Sequence, residues 1–157
     1  MASCLTHLFE LVPLTPILDG YHDSYGRMCG GVVLPGPSAV PRVLQKHPSA
    51  ALPSKDKLAA HPIVWSVPYS QDIVDRLVTY KNPGGDINNS DLDLAGGVFQ
   101  HCCMADSYDV RERTLLSRTE NSAGMWWMRK GSATCTSPPA HLLRLQAVHQ
   151  RHHRYVP

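Results

Sequence analysis

The sequence is poor in aromatic and charged residues and has no long hydrophobic run. Aromatic residues make up 7% of the 157 residues and charged residues 18%, and both fractions are low for a globular domain of this size. The apolar start of the chain is interrupted by Glu10, Pro13 and Pro16 and lacks a basic beginning. This pattern argues against a signal peptide and against a transmembrane helix, so we expect no membrane partner.

Cysteine is present, but without the pattern of a disulfide scaffold. The five cysteines are odd in number, and no two of them form a CxxC pair. This usage predicts a reducing, intracellular compartment. The adjacent Cys102 and Cys103 are expected to be buried thiols, because a disulfide between neighbouring residues is strained.

The hydrophobic content and the placement of proline predict one domain. Hydrophobic residues make up 43% of the chain, which is enough for one sizeable core. We expect an irregular lead-in over residues 1–16 and a single domain over 17–157. Six of the thirteen prolines lie in residues 35–62. Proline removes a backbone donor and disfavours helix before it, so this stretch is predicted to be a loop within the domain.

Hydrophobic periodicity and turn residues predict an α/β fold with the order β-β-loop-β-α-α-β-α-α. The predicted strands are a hairpin over 17–34 that turns at Ser24–Gly26, and single strands over 63–67 and 113–119. The predicted helices are 70–80, 88–106, 122–128 and 140–153, with the N-cap of the second at Asn89 or Ser90.

Some of these elements carry more detailed expectations. The apolar run at 63–67 predicts a buried strand, and the pair Gly30–Gly31 predicts a bend or a bulge. The last helix is expected to pack inward through Leu142, Leu145 and Val148.

Charge is distributed unevenly along the chain. Residues 70–120 carry five basic and nine acidic residues, whereas residues 121–157 carry five basic residues, four histidines and no acidic residue. An acidic middle beside a basic end suits a metal-dependent enzyme that acts on a polyanion, because carboxylates hold divalent cations and basic side chains hold phosphates. The alternative is that both stretches are ordinary solvated surfaces.

Three acidic residues lie where side chains of an α/β fold converge. Asp23 is at the end of the first strand, Asp93 is in the first turns of a helix, and Glu120 follows the strand at 113–119. Three carboxylates that lie together do not all stay ionised without a compensating cation. Mg²⁺ prefers such oxygen ligands, and two ions about 4 Å apart would support phosphodiester hydrolysis.

An ordered set of motifs surrounds these acids. The strings are DGYHDSYGRMCGGVVL, IVWSV, NNSDLDLAGGV, LLSRTENSAGMWWMRKGSAT and PAHLLRLQAVHQRHHRYVP. Together they resemble the ribonuclease H-like domain of retrotransposon reverse-transcriptase polyproteins, and the resemblance covers about residues 17–157. It implies a mixed sheet with flanking helices, hydrolysis of RNA in an RNA–DNA hybrid, and two Mg²⁺ ions, for which Mn²⁺ could substitute.

The resemblance also assigns roles to residues. It implies that Asp23, Asp93 and Glu120 are the catalytic, metal-binding carboxylates. Asn121 matches the Asn that follows the family's third acid, and the basic residues after the tryptophan-bearing helix would contact substrate phosphates. The basic end of the last helix adds two further candidates. The nucleic-acid-binding candidates are thus Asn121, Arg129, Lys130, Arg151 and Arg154.

The chain departs from the family pattern in ways that bear on activity. Asp93 stands where the family has Glu, and Glu120 stands where it has Asp, so one side chain is a methylene shorter and the other a methylene longer. The sequence ends at Pro157, before the family's last strand and helix and before its fourth carboxylate. We therefore expect a truncated domain with an exposed sheet edge, which could self-associate.

Three functions stay open at this stage. The first is a metal-dependent ribonuclease, the second is an inactive transposon remnant that at most binds nucleic acid, and the third is a chain recruited as an interaction protein. Activity would need Mg²⁺ and all three acids. Binding would need only the basic end of the chain and would fall with salt.

Two smaller features have alternative interpretations. His149 and His153 are four residues apart and could hold Zn²⁺ or Ni²⁺, or they are part of a basic, solvated helix end. Trp126 and Trp127 could stack on a base, or pack in the core, where we expect one of the two.

Overall fold

A computed structural model describes residues 15–42, 60–133 and 138–157, and within these the elements follow the predicted order. The strands are β1 (Leu18–Tyr25), β2 (Met28–Pro35), β3 (Ile63–Pro68) and β4 (Leu115–Arg118). The helices are α1 (Gln71–Asp75), α2 (Asn89–Ser107), α3 (Ser122–Lys130) and α4 (Pro139–His153). None of the described helices is long and apolar enough to cross a membrane.

The four strands form one mixed sheet in the order β3-β2-β1-β4. β1 and β2 form an antiparallel hairpin, and β2 and β3 are also antiparallel. β1 and β4 are parallel, in a register that runs from Leu18↔Leu115 to Tyr21↔Arg118. The α/β class and the mixed sheet with flanking helices are therefore confirmed.

The core lies between the sheet and α2. Alternate residues of β1, at positions 18, 20, 22 and 24, are buried, as expected for a strand with one face covered. Side chains from β1, β2, β4, the carboxyl half of α2 and the end of the chain make the main cluster. Its buried members are Ile17, Leu18, Val33, Met104, Ala105, Tyr108, Val110, Leu115 and Tyr155. Each fully buried Leu or Met contributes about 1.5–3 kcal/mol.

β3 is an edge strand, so the prediction of a buried strand at 63–67 is wrong. None of its six residues is fully buried, and Val64 is 83% exposed. Within the described sheet β3 pairs only with β2. An apolar run of this length is compatible with burial on both faces, but its position in the sheet decides how much is covered.

The paired glycines make neither a bend nor a bulge. The pairing of β1 with β2 continues without interruption through Gly30 and Gly31. A Cβ at Gly31 would lie 2.5 Å from the carbonyl oxygen of Tyr21 and 2.8 Å from Oε1 of Gln100. The glycine is therefore needed for close packing. The hairpin turn also differs from the prediction, because β1 extends to Tyr25 and the turn follows it.

The helix predicted over residues 70–80 ends at Asp75. Leu77 instead forms an isolated parallel bridge with Ile87 and is buried in a small second cluster with it. The Asn82 side chain stabilises this turn by donating to the carbonyl oxygens of Asp75, at 2.9 Å, and of Leu77, at 3.1 Å. Tertiary burial of Leu77 thus outweighs the helical pattern of the segment.

α4 is rotated relative to the predicted orientation. Leu145 and Val148 are 60% and 68% exposed, so the expectation that they pack inward is wrong. Leu142 is half-buried, and the buried positions are Pro139, Leu143 and Gln146. An amide in the core fixes the helix orientation here, because it needs polar partners that lie only on one side.

Those partners come from α2 and from the end of the chain. Gln146 Nε2 donates to Nδ1 of His101 at 3.1 Å and to the Tyr155 hydroxyl at 2.8 Å. Burial lowers the pKa of His101 to about 3, with smaller contributions from His22 and His149, so the imidazole is neutral at physiological pH. This polar network joins α2 to α4.

The last residues of the chain lie along the outer edge of β4. Leu115 N donates to Val156 O at 2.8 Å, and Val156 N donates to Arg113 O at 2.9 Å. This short parallel pairing occupies part of the edge that we expected to be exposed. Self-association through the sheet edge stays a prediction.

Some expectations fall wholly or partly outside the described residues. These include nearly all of the lead-in at 1–16 and most of the loop at 35–62. Near the start of that loop, Pro41 forms a bridge with Tyr108. Cys102 and Cys103 are free thiols, as expected, but they are half-buried rather than buried.

The close packing around Gly31 leads to a stability prediction. Gly31→Ala should lower the free energy of unfolding by about 1–3 kcal/mol, because the added methyl group meets a backbone carbonyl that cannot move without disturbing the sheet. Gly84→Ala is the matched control, because a Cβ there has nothing within 4 Å. It should change stability by less than about 1 kcal/mol. Urea unfolding of both variants tests this, and equal effects would contradict it.

Candidate active site at the carboxyl ends of the parallel strands

Asp23 and Glu120 extend from the same ends of two neighbouring parallel strands. The last pair of the register is Tyr21↔Arg118, and Asp23 and Glu120 each follow that pair by two residues. The carboxyl ends of parallel strands meet at one edge of a sheet. Both acids are exposed there. The structure therefore brings the first and third candidate carboxylates to one edge.

Asp93 reaches this edge from the first turns of α2. The helix begins at a capping box: the side chain of Asn88 accepts from Asp91 N at 3.1 Å, and Asp91 Oδ2 accepts from Asn88 N at 2.9 Å. The N-cap is thus Asn88 rather than Asn89 or Ser90. This box fixes where the helix starts and hence where Asp93 lies, at 4% exposure.

Asn121 connects Asp93 to the end of β4. Its Nδ2 donates to Asp93 Oδ2 at 2.7 Å and to Ser90 Oγ at 3.2 Å. Its Oδ1 accepts from Gly124 N at 2.9 Å and so caps the start of α3. The Asn121 side chain therefore connects the segment that contains Glu120 to the helix that contains Asp93. The sequence pointed to Asn121 as a substrate contact and did not predict this bond to Asp93.

The three carboxylates are electrostatically coupled. Burial is the largest cause that raises the pKa of Asp93, and the negative charges of Asp23 and Glu120 raise it further. The hydrogen bond from the Asn121 side chain opposes this shift. The same three charges, after burial, raise the pKa of the neighbouring Tyr21. The negative field at this edge favours a cation.

The donor set fits Mg²⁺ in kind. Asp93 Oδ1 is buried and has no hydrogen-bond partner, an arrangement that is costly unless something else binds it. Asp93 Oδ2 also accepts from Asn89 Nδ2 at 3.3 Å. Within the described ranges, no group of three or more His, Cys, Asp or Glu side chains is placed to hold a metal ion. A bound ion would thus require the exposed Asp23 and Glu120 to turn towards Asp93.

Two basic residues of α3, Arg129 and Lys130, lie near the exposed indole ring of Trp126. Arg129 Cζ and Lys130 Nζ are 5.4 Å and 5.9 Å from the ring centroid of Trp126, distances typical of a cation–π interaction. Trp126 is 48% exposed and Trp127 is half-buried, so neither is the core residue that we expected. The cluster is a solvent-facing surface with two positive charges.

The basic end of α4 is partly neutralised. Arg154 forms an ion pair with Glu112, while Arg151 is exposed. The rings of His149 and His153 lie 4.3 Å apart, and Nδ1 of His149 is within 3.0 Å of the Tyr155 hydroxyl. That hydroxyl engages one of the two ring nitrogens of His149.

Sequence reasoning missed His22, which lies beneath the site. His22 is 1% exposed, and its Nδ1 is 3.1 Å from Ser117 Oγ, so this pair joins β1 to β4 just below Asp23. Burial lowers the pKa of His22 and favours the neutral ring, although the nearby carbonyl of Asp93 and the charge of Asp23 oppose this. Strand alternation predicts that His22 lies on the face opposite Asp23, but it does not predict that Ser117 is the partner of His22.

Comparison with protein-family models, with curated proteins and with solved structures finds no match for this chain.

Burial of Asp93 leads to a prediction about pH. Folding raises the pKa of the Asp93 carboxyl above its value in the unfolded chain, which is about 3.9. The protein therefore loses stability as pH rises from the unfolded-state pKa to the folded-state pKa of this group. Asp93→Asn removes this loss and can still accept from Asn121. The variant should therefore have a higher urea midpoint than the unchanged protein at pH 7, and the difference should shrink as pH falls through that window.

Urea unfolding between pH 4 and 8 measures this difference. Asp72→Asn is the control, because Asp72 is exposed on α1, and it should not raise the midpoint. A less stable Asp93→Asn variant at pH 7 would show that the hydrogen bonds to the ionised carboxylate outweigh its burial.

Proposed function

We propose that this chain is a ribonuclease H-like domain that hydrolyses RNA in an RNA–DNA hybrid with bound Mg²⁺. The observation that carries the proposal is the arrangement of Asp23, Asp93 and Glu120 as coupled carboxylates where two parallel strands end. The resemblance of the surrounding motifs to retrotransposon ribonuclease H-like domains supports the substrate class.

Each acid has a separate task in this proposal. The carboxylates of Asp23, Asp93 and Glu120 would hold Mg²⁺, which would supply a Lewis acid for the attacking water and for the leaving oxygen. Asp93 offers its unpartnered Oδ1, while Asn121 holds its other oxygen in place. Asp23 is oriented by the N–H of Ser24, which donates to its Oδ1 at 2.7 Å. Glu120 is exposed, and its longer side chain has the freedom to approach the other two.

The basic surface on α3 supplies the second part of the proposal. Arg129 and Lys130 are in the last turn of the helix that Asn121 caps, so one short segment carries both the link to Asp93 and the positive charges. Phosphate contacts by such residues position a nucleic-acid backbone without reading its sequence. Trp126 holds both cations near its exposed ring and adds a surface on which a sugar or a base could pack.

A second candidate function is nucleic-acid binding without hydrolysis. Asn121 and Asn89 both donate to Asp93 Oδ2, so this oxygen is already engaged. The acids of the described residues do not form a three-ligand group. Metal sites tolerate misplacement of about 0.5 Å, and Asp93 and Glu120 each differ by a methylene from the family pattern. These observations favour a remnant that has kept the basic surface and lost the reaction.

A cleavage assay separates the two functions. With Mg²⁺ or Mn²⁺, the protein should cut a labelled RNA–DNA hybrid in the RNA strand, and Asp23→Asn and Glu120→Gln should each reduce the rate at least about 100-fold, because each removes a charged oxygen ligand. Asp72→Asn, on exposed α1, should cut like the unchanged protein. Metal-dependent cutting that survives both substitutions would contradict the assignment of the site. No cutting by folded protein would leave the second candidate.

The basic surface generates a prediction that holds for both candidates. The double variant Arg129→Gln/Lys130→Gln should bind the hybrid more weakly, and the slope of log K against log salt should fall by about two, one for each lost phosphate contact. Lys81→Gln, at an exposed turn, is the control and should leave the slope unchanged. Fluorescence anisotropy at several salt concentrations measures this, and an unchanged slope in the double variant would exclude the surface as a contact.

A further inference from the structure

A second polar cleft lies at the opposite end of α2 from the carboxylates. It has a volume of about 390 Å³ and is lined by residues from the segment after β2, from the end of α2 and the turn after it, and from the last turn of α4. The lining residues that matter here are Arg42, Tyr108, Asp109, Arg111, His152 and His153. At 1.5 Å per residue, the length of α2 separates this cleft from Asp93 by about 20 Å.

Backbone hydrogen bonds hold the walls of the cleft together. Arg42 N donates to Ser107 O at 2.7 Å, and Asp109 N donates to Val40 O at 2.8 Å. The Arg42 guanidinium donates through one N–H to Ala105 O at 3.0 Å, which anchors the side chain at the end of α2. A guanidinium has five N–H donors, so this bond leaves others to face the cleft.

Arg42 gives the cleft a positive charge. Arg111 is neutralised by Asp109, with which it forms two hydrogen bonds at 2.8 Å and 2.9 Å. Among the described residues, no carboxylate forms an ion pair with Arg42. The rings of His152 and His153 lie 4.8 Å apart beside it.

The pKa of His153 responds to the charges around the cleft. Burial is the first cause that lowers the pKa of His153, followed by repulsion from His152 and Arg42, while the carboxylate of Asp106 opposes them. A bound anion would relieve this repulsion. The combination is a guanidinium and two imidazoles around one cavity, which is the donor chemistry that binds oxyanions.

We propose that this cleft binds a phosphate group through the guanidinium of Arg42 and the imidazole N–H groups of His152 and His153. The phosphate could be a free ion or part of a nucleic-acid backbone, since both present the same oxygens. The inference does not depend on the proposed ribonuclease activity, because the two sites are far apart and share no residue.

A titration with inorganic phosphate tests the site. Imidazole resonances of His152 and His153 should shift saturably, with ionic strength held constant by chloride. Arg42→Gln should weaken binding about tenfold or more, the usual effect of losing a charge-assisted hydrogen bond. Arg144→Gln, exposed on α4, is the matched control and should bind like the unchanged protein. Shifts that do not saturate, or equal binding by Arg42→Gln, would overturn the proposal.

A second variant separates binding from folding. Because Arg42 also bonds to Ala105 O, its substitution could destabilise the end of α2, and the thermal midpoint of each variant is therefore measured first. His152 is exposed, so His152→Ala removes the imidazole donor without disturbing the core. It should also weaken phosphate binding, and the phosphate-induced shift of His153 should need a higher concentration. Unchanged binding by a folded His152→Ala variant would likewise contradict the site.

The RNA–DNA hybrid distinguishes the two sources of phosphate. If the cleft takes a nucleic-acid backbone, the hybrid should shift His152 and His153, and phosphate should compete with it. If it takes the free ion, phosphate alone should shift them. If neither the hybrid nor phosphate shifts these resonances, the proposal is overturned. Cleavage of the hybrid is measured in the same variants, and a loss of phosphate binding with cleavage unchanged would show that the two proposals stand or fall separately.

Discussion

The parallel pairing of β1 with β4 is the constraint on which the candidate site depends. It carries Asp23 and Glu120 out of the sheet at the same level, and it places Asn121 where one amide can both cap α3 and bind Asp93. On its other side β4 pairs with Val156, so the end of the chain is ordered by the same strand. A strand of only four residues thus organises both the site and the carboxyl terminus.

The cost of this arrangement is concentrated at Asp93. Its carboxylate is almost fully buried, one of its oxygens has no partner, and two neighbouring acids act against its ionisation. Such a group destabilises the folded state in its ionised form. A bound cation would remove the penalty, whereas an inactive remnant would retain it and rely on Asn121 and the core beneath. The unpartnered Nε2 of buried His22 adds a second unsatisfied group at the same place.

Much of the fold could be predicted because it follows from local patterns. The order of strands and helices and the long helix through Asp93 reflect periodicity and turn residues that act over a few positions. The errors at Leu77 and in the rotation of α4 share one cause, which is packing between separate segments of the chain. Leu77 leaves its helix to reach Ile87, and Gln146 fixes the rotation of α4 because His101 and Tyr155 lie on one side of it. None of these partners is visible in a local window.

The sequence by itself determined the element order, the candidate acids and the uneven charge, because residue type and spacing are properties of the chain alone. Only the tertiary structure decided that Asp93 is buried, that Asn121 engages it, and that Arg42 lies beside His152 and His153. These facts depend on strand register and helix rotation. Both are set by long-range contacts that compete for the same buried space, and a local sequence pattern does not specify which of these contacts form.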